Sequence, residues 1–550
     1  MAEQQAELTI GEYVVDALAR HGVRHVFGVP GDFILRIFQI GSERGMTMVN
    51  STREEAAAYA ADGYAREVGL GAVAVTFGVG TLATLAAVGG ANAEHVPVVV
   101  VGGAPGLGER DGRKVHHMPT DDMDSPRRMM SELVGRAVLI DDPDTAFETI
   151  DDTIDHAQRH LRPVYIELPR DLIDVTPEQV WRHHRRAERH EDRAALYEAA
   201  TADLRQTIDA AERPVIWAGV GVQRRRLGDA VIDLAEHIGA PVVESVMGKG
   251  AVPERHPLVL GVYSGVTSAE PIRALVEDAD LVIELGLVEN DINLGAFTVG
   301  VPDERRVCLD QGRLRIGHRS YDGVSFEVAA DGLFSAQLRP RTAPDALPHA
   351  WDALSTSAGR VTCDSLAWTL NDFIEHGDVV VCDVGVAAHL LMDVRLADVG
   401  QLHIARYYVG MGFAVPASTG ALLARGEGRA VVLVGDGSFQ MTGFDLSTAV
   451  RHGLDPIVLV LDNHGYGAER TIVDGPFNAV AQWDYAAVGP VVGAKGVNVR
   501  TLDELVDALG EARADRGSAW IIAIDLDEHD FPRALLRLGK GLEQLMHDHG

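Results

Sequence analysis

The chain has 550 residues, of which 46% are hydrophobic and 24% are charged, and its formal net charge at pH 7 is −32. This composition is typical of a globular protein of several domains, and the negative charge disfavours binding to nucleic acid or an anionic membrane surface. The sequence contains no signal-peptide pattern and no apolar run of about 18 residues, so we expect no membrane span. The widely spaced cysteines, Cys308, Cys363 and Cys382, fit no zinc site and favour a reducing cytoplasm.

Residues 1–185 alternate between apolar runs and helical segments, which predicts a parallel α/β domain. A helix is predicted over 33–40, and Asp32 before it has the default interpretation of a helix N-cap. The segment 176–193 is rich in arginine and histidine, and this composition suits an exposed linker. Strands are predicted at 25–29, 72–77, 96–101 and 164–168.

Residues 195–340 predict a second α/β domain. Gly219 and Gly221 follow its first strand, but Arg224 occupies the last glycine position of a dinucleotide-binding G-x-G-x-x-G motif. We therefore favour ordinary packing of strand and helix at this turn. A proline-rich loop over 338–348, which no helix interior would tolerate, marks the next boundary. Strands of this domain are predicted at 214–220 and 281–285.

Residues 355–550 predict a third α/β domain, in which polar residues follow two apolar strands. Asp436 comes after the strand at 431–434, and Asn463 comes after the strand at 457–461. In a parallel sheet the crevice outside the strand carboxyl ends binds ligands, and these two side chains offer the oxygen ligands that Mg²⁺ prefers. Further elements are predicted as strands at 379–382 and 520–524 and as a closing helix at 532–546.

The glycines beside Asp436 favour a ligand at this turn. Gly435 and Gly437 allow a close backbone approach, and the start of the following helix favours an anion. The segment therefore predicts a metal–diphosphate site. The alternative is a buried strand–helix–strand unit in which Asp436 is only a helix N-cap.

Two adjacent glutamates begin a predicted helix at 54–66. Thr52 and Glu55 have the spacing of a capping box, which would account for Glu55 structurally. Glu54 is not needed for that cap. Its negative charge in a first helical turn is mildly stabilising in any protein, so a structural role for Glu54 stays open.

Three further titratable residues have ordinary alternatives. His116 and His117 lie together in a polar loop, where most histidines are simply solvated. Glu469 precedes Arg470, and a surface ion pair is the ordinary interpretation of these two. Each residue taken alone is weak evidence of a site.

Considered together, these motifs resemble the thiamine diphosphate (ThDP)-dependent 2-oxo acid decarboxylases, the family of pyruvate, indolepyruvate and phenylpyruvate decarboxylases. The resemblance extends almost end to end. It implies three doubly wound α/β domains with mainly parallel sheets: a pyrimidine-binding domain (1–185), a central domain (195–340) and a diphosphate- and Mg²⁺-binding domain (355–550). The matching segments, in chain order, are VFGVPGDF at 26–33, EEAAAYAADGYAR at 54–66, GGAPG at 102–106, His116-His117, MGKG at 247–250, GMGFAVPA at 410–417 and GYGAER at 465–470.

The resemblance also implies the reaction and the assembly. The expected reaction is non-oxidative decarboxylation of a 2-oxo acid to an aldehyde and CO₂, through a ThDP ylid and an enamine. In this family the pyrimidine end of ThDP lies on the first domain of one subunit and the diphosphate end on the third domain of another. We therefore expect a homodimer or homotetramer with its active site at the subunit interface.

The resemblance assigns roles to residues that match the family motifs. Glu54 matches the glutamate that hydrogen-bonds the aminopyrimidine ring, and Met411 matches the residue that holds ThDP bent. The expected catalytic residues are Asp32, Glu54, His116, His117 and Glu469. The expected metal ligands are Asp436, Asn463 and the Gly465 carbonyl. The expected cofactor-binding residues are Glu54, Val384, Gly385, Gly410, Met411, Gly435, Asp436, Gly437, Ser438, Asn463 and Gly465.

The chain departs from the family at the expected substrate pocket. Asp462-Asn463 replaces the common Asn-Asn, which keeps the matching ligand. His464, beside that ligand, is unexpectedly polar and could recognise a polar substrate tail. Small residues at pocket positions give the hypothesis of a roomy pocket for aromatic or long or branched aliphatic 2-oxo acids. These small residues are Val384, Val386, Ala387, Ala388 and Ala468.

Three alternatives remain at this stage. The nearest is a ThDP-dependent carboligase of the acetolactate-synthase or acyloin-forming kind, which shares the fold and cofactor. The paired histidines and Glu469 favour decarboxylation, because protonation of the enamine needs them and ligation does not. A non-catalytic regulatory homologue and an FAD-dependent oxidase relative are the more remote alternatives.

Overall fold

The computed structural model describes residues 8–110, 114–178, 194–310, 312–356 and 358–548. Three sheets flanked by helices follow one another along these ranges, which confirms the predicted α/β class with mainly parallel strands. Most of the predicted linker at 176–193 lies outside the described residues. The proposed domain boundaries stay a prediction. None of the described helices has the length and apolar composition that a bilayer-spanning segment needs.

The first sheet is wholly parallel, with the strand order β2-β1-β3-β4-β6-β5. Its central strands are buried along their whole length, as expected for a parallel sheet covered by helices on both faces. The strands are β1 His25–Gly28, β2 Thr47–Asn50, β3 Gly71–Val75, β4 Val98–Ala104, β5 Arg136–Leu139 and β6 Val164–Pro169. The helices are α1 Ile10–Arg20, α2 Leu35–Glu43, α3 Glu54–Val68, α4 Val79–Ala83, α5 Leu85–Ala93, α6 Ser125–Ser131 and α7 Ala146–His160.

The middle sheet is mixed, with the order β13-β12-β11-β10-β7-β8-β9, and an antiparallel meander of β11, β12 and β13 forms one edge. Gly219 and Gly221 pack against the backbone of Gly286, where an added Cβ would lie 2.2 and 2.8 Å from the nearest atom. These glycines therefore serve close packing. The strands are β7 Pro214–Ala218, β8 Val242–Glu244, β9 Val259–Val262, β10 Leu281–Leu285, β11 Arg306–Asp310, β12 Arg313–Ile316 and β13 Arg319–Asp322. The helices are α8 Ala194–Ala210, α9 Val220–Arg224, α10 Gly228–Ile238, α11 Glu270–Glu277 and α12 Phe326–Phe334.

The third sheet is again parallel, with the order β15-β14-β16-β17-β19-β18. Counted within each domain, this is the strand order of the first sheet. The strands are β14 Val379–Cys382, β15 Leu402–Ile404, β16 Ala430–Gly435, β17 Ile457–Asp462, β18 Lys495–Val499 and β19 Trp520–Asp525. The helices are α13 Cys363–Phe373, α14 Val386–Leu390, α15 Ala414–Arg425, α16 Asp436–Thr442, α17 Leu446–Arg451, α18 Gly467–Arg470, α19 Tyr485–Val492, α20 Leu502–Ala514 and α21 Arg533–Asp548.

The first and third domains meet where α3 crosses α15 at very short range. A Cβ on Gly63 would lie 2.1 Å from the carbonyl oxygen of Ala417, and a Cβ on Gly420 would lie 1.8 Å from that of Ala60. Real side chains do not approach a backbone so closely. Two glycines, one on each helix, therefore fix how these domains pack within one chain.

A buried ion pair lies where the middle domain meets the third domain. The Nζ of Lys249 donates to both carboxylate oxygens of Glu254, at 2.8 and 3.0 Å, and both side chains are 0% exposed. The Oε2 of Glu254 also accepts the N–H of Leu396 from the third domain. Nearby Glu244 is buried too, and burial together with the charge of Glu254 raises its pKa well above the ordinary value. Lys249 is the cation that balances this acidic group.

Lys249→Met is predicted to lower the free energy of unfolding by about 3–5 kcal/mol, because it leaves the Glu254 carboxylate buried without its cation. Lys495→Met is the matched control, since Lys495 pairs with Asp515 at the surface and loss of that pair costs under about 1 kcal/mol. Urea titrations of the two variants measure the difference. Equal losses would show that the buried pair contributes no more than an exposed one.

Candidate active site

The carboxyl ends of β16 and β17 are joined by one buried carboxylate. Asp436 is 1% exposed, its Oδ1 accepts the N–H of Gly437 at 2.7 Å, and its Oδ2 accepts the N–H of Gly465 at 2.8 Å. The N-cap of α16 is Gly435, so the interpretation of Asp436 as a helix N-cap is wrong. Its carboxylate instead ties the turn after one strand to the turn after the next.

The surroundings of Asp436 suit a cation. Burial, with the neighbouring charge of Asp462, raises the pKa of Asp436 to about 7, although two backbone N–H groups oppose the shift. Asn463 is buried beside it, and a Cβ on Gly467 would lie 2.5 Å from its Nδ2. Gly465 has φ of 141° and its Cβ would lie 2.1 Å from the carbonyl of Asn478, so only glycine fits there. A carboxylate, an amide side chain and a peptide carbonyl thus belong to the turns at this edge of the sheet, and oxygens of these kinds are the ligands that Mg²⁺ takes.

Two glycines at the same edge border open space. A Cβ on Gly435, or on Gly385 at the start of α14, would have no atom within 4 Å. At Gly437 the same Cβ would lie 2.6 Å from the ring of Tyr466. The turns after β14 and β16 therefore leave room for a ligand beside their backbones. Ser438, in the first turn of α16, is buried next to Asp383 and hydrogen-bonds its carboxylate.

A second buried carboxylate, Asp383, holds the loop that carries Met411. Its Oδ1 accepts the N–H of Gly412 at 3.2 Å, and its Oδ2 accepts the N–H of Ala414 at 3.0 Å. Thr442, at the end of α16, donates its hydroxyl to the Gly412 carbonyl at 2.6 Å. The loop is thus anchored from two elements. The side chain of Met411, by contrast, is 36% exposed and stands out from the edge of the sheet.

The first domain brings its three predicted proton-transfer residues together. The Nε2 of His116 lies 2.6 Å from Asp32 Oδ2, and the Nε2 of His117 lies 3.7 Å from Asp32 Oδ1. The imidazole centroids are 4.5 Å apart, and both rings contact Phe33. The N-cap interpretation of Asp32 is wrong, because α2 begins later, at Leu35. The cluster is exposed enough to meet a ligand, since each of its three side chains is at least one-third accessible.

Glu54 begins α3 but takes no part in capping it. The predicted capping box of Thr52 and Glu55 is wrong, because Arg53 is the N-cap and makes no side-chain cap. Thr52 instead donates its N–H and its hydroxyl to Asp445 of the third domain, both at 2.9 Å, and Glu55 pairs with Arg53. The Glu54 side chain makes no hydrogen bond or ion pair with the described residues, so its carboxylate is available to a ligand.

The ordinary interpretation of Glu469 is also wrong. Its neighbour Arg470 pairs with Asp474 at 2.9 Å and with Glu528 at 3.1 Å, and Glu469 stays exposed at the surface of α18. His464, before this helix, hydrogen-bonds Gln482 at 2.5 Å. Within the described chain, no hydrogen bond or ion pair joins Asp436 or Glu469 to the cluster of the first domain.

A cavity of about 250 Å³ opens beside Gly385, between the middle domain and the third domain, and α21 of the third domain forms part of its wall. Only two of the small residues predicted to line a pocket, Val384 and Ala388, border it. Val386 and Ala387 belong to the hydrophobic core instead. Sequence reasoning missed other residues of the wall, among them Ile292, His389, Met392, Arg406 and Leu538. The only sequence signal for these residues is position: Arg406 follows the end of β15, and His389 and Met392 lie in the segment after β14.

The comparisons with known proteins account for this architecture. The chain matches three family models in order: the thiamine pyrophosphate enzyme N-terminal TPP binding domain over residues 8–126, the central domain over 201–329 and the C-terminal TPP binding domain over 382–523. It is 32% identical to indole-3-pyruvate decarboxylase of Azospirillum brasilense, over 98% of this chain and 99% of that protein. The chain belongs to the ThDP-dependent 2-oxo acid decarboxylases.

Other relatives in this family support the same assignment. Pyruvate decarboxylase isozyme 2 of Saccharomyces cerevisiae is 31% identical over 89% of this chain and 90% of its own length. Pyruvate decarboxylase of Hanseniaspora uvarum is 30% identical over 96% and 97%. The predicted family and the predicted cofactor ThDP are thereby confirmed, and the chain is an enzyme of the decarboxylase type. The roles of individual residues stay predictions.

Gly435→Ala is predicted to leave the free energy of unfolding of the ThDP-free protein within about 0.5 kcal/mol, because φ is −71° there and the added methyl meets no atom. It is predicted to weaken ThDP binding at least about tenfold if the diphosphate occupies that space. Gly510→Ala is the control, since it also adds a methyl into open space but lies on the remote helix α20. Titration of tryptophan fluorescence with ThDP measures both. Equal ThDP affinities would contradict the proposed position of the diphosphate.

Proposed function

We propose that the protein removes CO₂ non-oxidatively from a 2-oxo acid and releases the aldehyde, using ThDP and Mg²⁺. The observation that carries this proposal is the cluster of Asp32, His116 and His117. The same chain has a buried carboxylate, Asp436, at an edge of the third sheet that suits a metal cation. A decarboxylase has to deliver a proton to carbon and remove one from oxygen. A hydrogen-bonded carboxylate and two imidazoles supply both a proton donor and a proton acceptor.

The third domain would hold the diphosphate end of the cofactor. Asp436, Asn463 and the carbonyl of Gly465 supply the protein oxygens for Mg²⁺, and phosphate oxygens complete its shell. Open space beside Gly435 and Gly385 supports this placement. The proposed diphosphate contacts are Val384, Gly385, Gly435, Gly437 and Ser438.

The opposite end of the cofactor would meet Glu54, Gly410 and Met411. Glu54 has no competing partner among the described residues, so its carboxylate can hydrogen-bond the aminopyrimidine ring. Met411, on its anchored and exposed loop, supports the bend between the two rings. Bound ThDP supplies the electron sink for the pair of electrons that CO₂ leaves behind.

The protein's own residues would handle the protons. Asp32, His116, His117 and Glu469 are proposed to form the acid–base set, with Glu469 arriving from the third domain of a partner subunit. The short contact between Asp32 and His116 lets one proton be shared between a carboxylate and an imidazole. Such a pair can act first as donor and then as acceptor within one turnover.

The proposed substrate has an aromatic or a long or branched aliphatic side chain. Val384 and Ala388 are small and border the cavity, which leaves room beyond the reacting carbons. A panel of pyruvate, phenylpyruvate, indolepyruvate and 2-oxoisocaproate tests this. A kcat/KM for pyruvate well above the others would contradict it.

We also propose that the active unit is a homodimer or homotetramer located in a reducing cytoplasm. Exposed apolar side chains near the proposed cofactor site, at Met411, Met441 and Phe444, are suited to contact with a second subunit. The three cysteines of the chain are free, and two of them are buried. A catalytically active monomer at nanomolar concentration would contradict the assembly.

Carboligation is the second candidate function, because it shares the fold and the cofactor. Product analysis separates the two: an aldehyde supports decarboxylation, and a 2-hydroxyketone as the main product supports ligation. ThDP binding without CO₂ release from any 2-oxo acid would instead indicate a regulatory homologue.

Glu54→Gln is predicted to lower kcat for CO₂ release at least about 100-fold, because the amide cannot act as the carboxylate partner of the aminopyrimidine ring. Glu55→Gln is the matched control, since the adjacent side chain only pairs with Arg53 at the surface. Its kcat is predicted to stay within about twofold. Coupled assay of the aldehyde measures both, and wild-type turnover by Glu54→Gln would overturn the assignment.

Mixing two inactive variants, Glu54→Gln and Asp436→Ala, is predicted to restore about a quarter of wild-type activity after subunit exchange. A mixed dimer holds one site with both residues intact only if each site takes Glu54 from one subunit and Asp436 from the other. Co-expression with two different affinity tags isolates the mixed dimer for assay. An inactive mixed dimer would place both residues of a site on one chain.

A further inference from the structure

One residue in the wall of the 250 Å³ cavity is a buried arginine, Arg406. Arg406 is 4% exposed, and its Nη1 and Nη2 are buried with no hydrogen-bond acceptor among the described residues. An unpaired buried guanidinium is costly, and proteins normally satisfy it with a carboxylate or phosphate. Burial lowers the pKa of Arg406 only to about 10, so the group stays cationic near neutral pH.

The nearby titratable groups do not supply that anion. Glu94, from the first domain, accepts the backbone N–H groups of Tyr407 and Tyr408 at 2.5 and 3.1 Å but makes no hydrogen bond to Arg406. The thiol of Cys382 is buried, and burial raises its pKa well above the ordinary value, so it is neutral. No carboxylate of the described residues reaches the guanidinium.

His389, a partly buried titratable side chain of the wall, is neutral as well. Its Nδ1 lies 2.8 Å from the carbonyl oxygen of Gly385, which fixes Nδ1 as the donor. Burial, and then the charges of Arg406 and Arg537, lower the pKa of His389 to about 4. Arg537 does not line the cavity, and its guanidinium donates to the Thr267 carbonyl and to Asp393. Asp291 is exposed at the mouth and accepts its own chain's Ile292 N–H.

Thr267 is the remaining polar side chain of the wall, and its hydroxyl donates to the Ser264 carbonyl at 2.8 Å. The other side chains of the wall are apolar, and the wall adjoins the proposed reaction site. Val384 and Gly385, which line the cavity, are proposed cofactor contacts. The apolar side chains of Ile292, Met392 and Leu538 line the same cavity. A ligand filling this space has one end beside the cofactor and a methylene chain along apolar side chains. Its far end can then meet a guanidinium.

From this arrangement we propose that the protein's substrate is a 2-oxo acid with a second carboxylate at the far end of its side chain, which Arg406 binds. The inference rests on the proposed decarboxylase function and narrows its substrate class, from the aromatic and aliphatic side chains proposed above to an aliphatic side chain that ends in a carboxylate. In the reaction the bond between the carboxyl and carbonyl carbons breaks, CO₂ leaves, and a proton forms the new C–H bond. The product is therefore a semialdehyde that keeps the distal carboxylate. Arginine suits this role because its planar fork matches a carboxylate with two parallel hydrogen bonds.

Two five-carbon substrates that differ only at the far end test the proposal. 2-Oxoglutarate ends in a carboxylate and 2-oxopentanoate ends in a methyl group. The wild-type protein is expected to have at least about a tenfold higher kcat/KM for 2-oxoglutarate. Arg406→Met, which removes the charge at similar length, is expected to lower the ratio of the two kcat/KM values about 10- to 100-fold, the range for a lost charged hydrogen bond. Arg516→Met, at an exposed pair with Asp455, is the control and leaves the ratio unchanged.

A binding experiment separates this proposal from the decarboxylase function. Calorimetry of the ThDP- and Mg²⁺-loaded protein with glutarate and with pentanoate, neither of which can react, is expected to show glutarate binding that Arg406→Met abolishes. If no 2-oxo acid releases CO₂, the proposed function fails, while glutarate binding still decides the role of Arg406. If Arg406→Met does not fold, Arg406→Lys replaces it, and a retained preference for glutarate supports the proposal.

Equal binding of glutarate and pentanoate, with faster turnover of 2-oxopentanoate, would overturn the proposal. Binding of inorganic phosphate as tight as that of glutarate, lost equally in Arg406→Met, would also overturn it. That result would make Arg406 a general anion site.

Discussion

Buried aspartates that accept backbone N–H groups hold the proposed site together. Asp383 fixes the Met411 loop, Asp436 joins the turns after β16 and β17, and Asp445 receives the N–H of Thr52 from the first domain. Each carboxylate loses its hydration on burial, and backbone donors replace the lost water. These bonds link residues far apart in the chain. The positions of Met411, Gly465 and Glu54 therefore depend on three side chains that need not touch the substrate.

Much of the fold could be predicted because its parallel strands are continuous apolar runs. The observed bounds of β10 and β14, Leu281–Leu285 and Val379–Cys382, are the predicted ones. The strands β12 and β13, the outer two strands at one side of the middle sheet, were missed because they are short, partly exposed and polar. The proximity of the turns that carry Asp436 and Asn463 could also be predicted, because both residues stand directly after strands. This proximity follows from the topology, since neighbouring parallel strands have their carboxyl ends at the same edge of the sheet.

Other features of the site depend on contacts that no local pattern reports. The capping box at Thr52 failed because its hydroxyl bonds Asp445, 393 residues away, and a tertiary partner replaced the local one. The ion pair predicted between Glu469 and Arg470 does not form, because Arg470 pairs with Asp474 and Glu528 instead. The sequence does not single out Arg406. That its guanidinium has no hydrogen-bond acceptor among the described residues can be seen only from the folded structure.

The glycine crossing of α3 and α15 has a mechanical consequence. Since not even a methyl group fits between Gly63 and Ala417, or between Gly420 and Ala60, sliding of these helices past each other would drive backbone into backbone. The first and third domains should therefore move as one rigid body. The cavity is walled by the third domain, including α21, and by the middle domain. We expect the entry of substrate to depend on hinge motion of the middle domain against that rigid body, and we expect the rate of this motion to limit turnover.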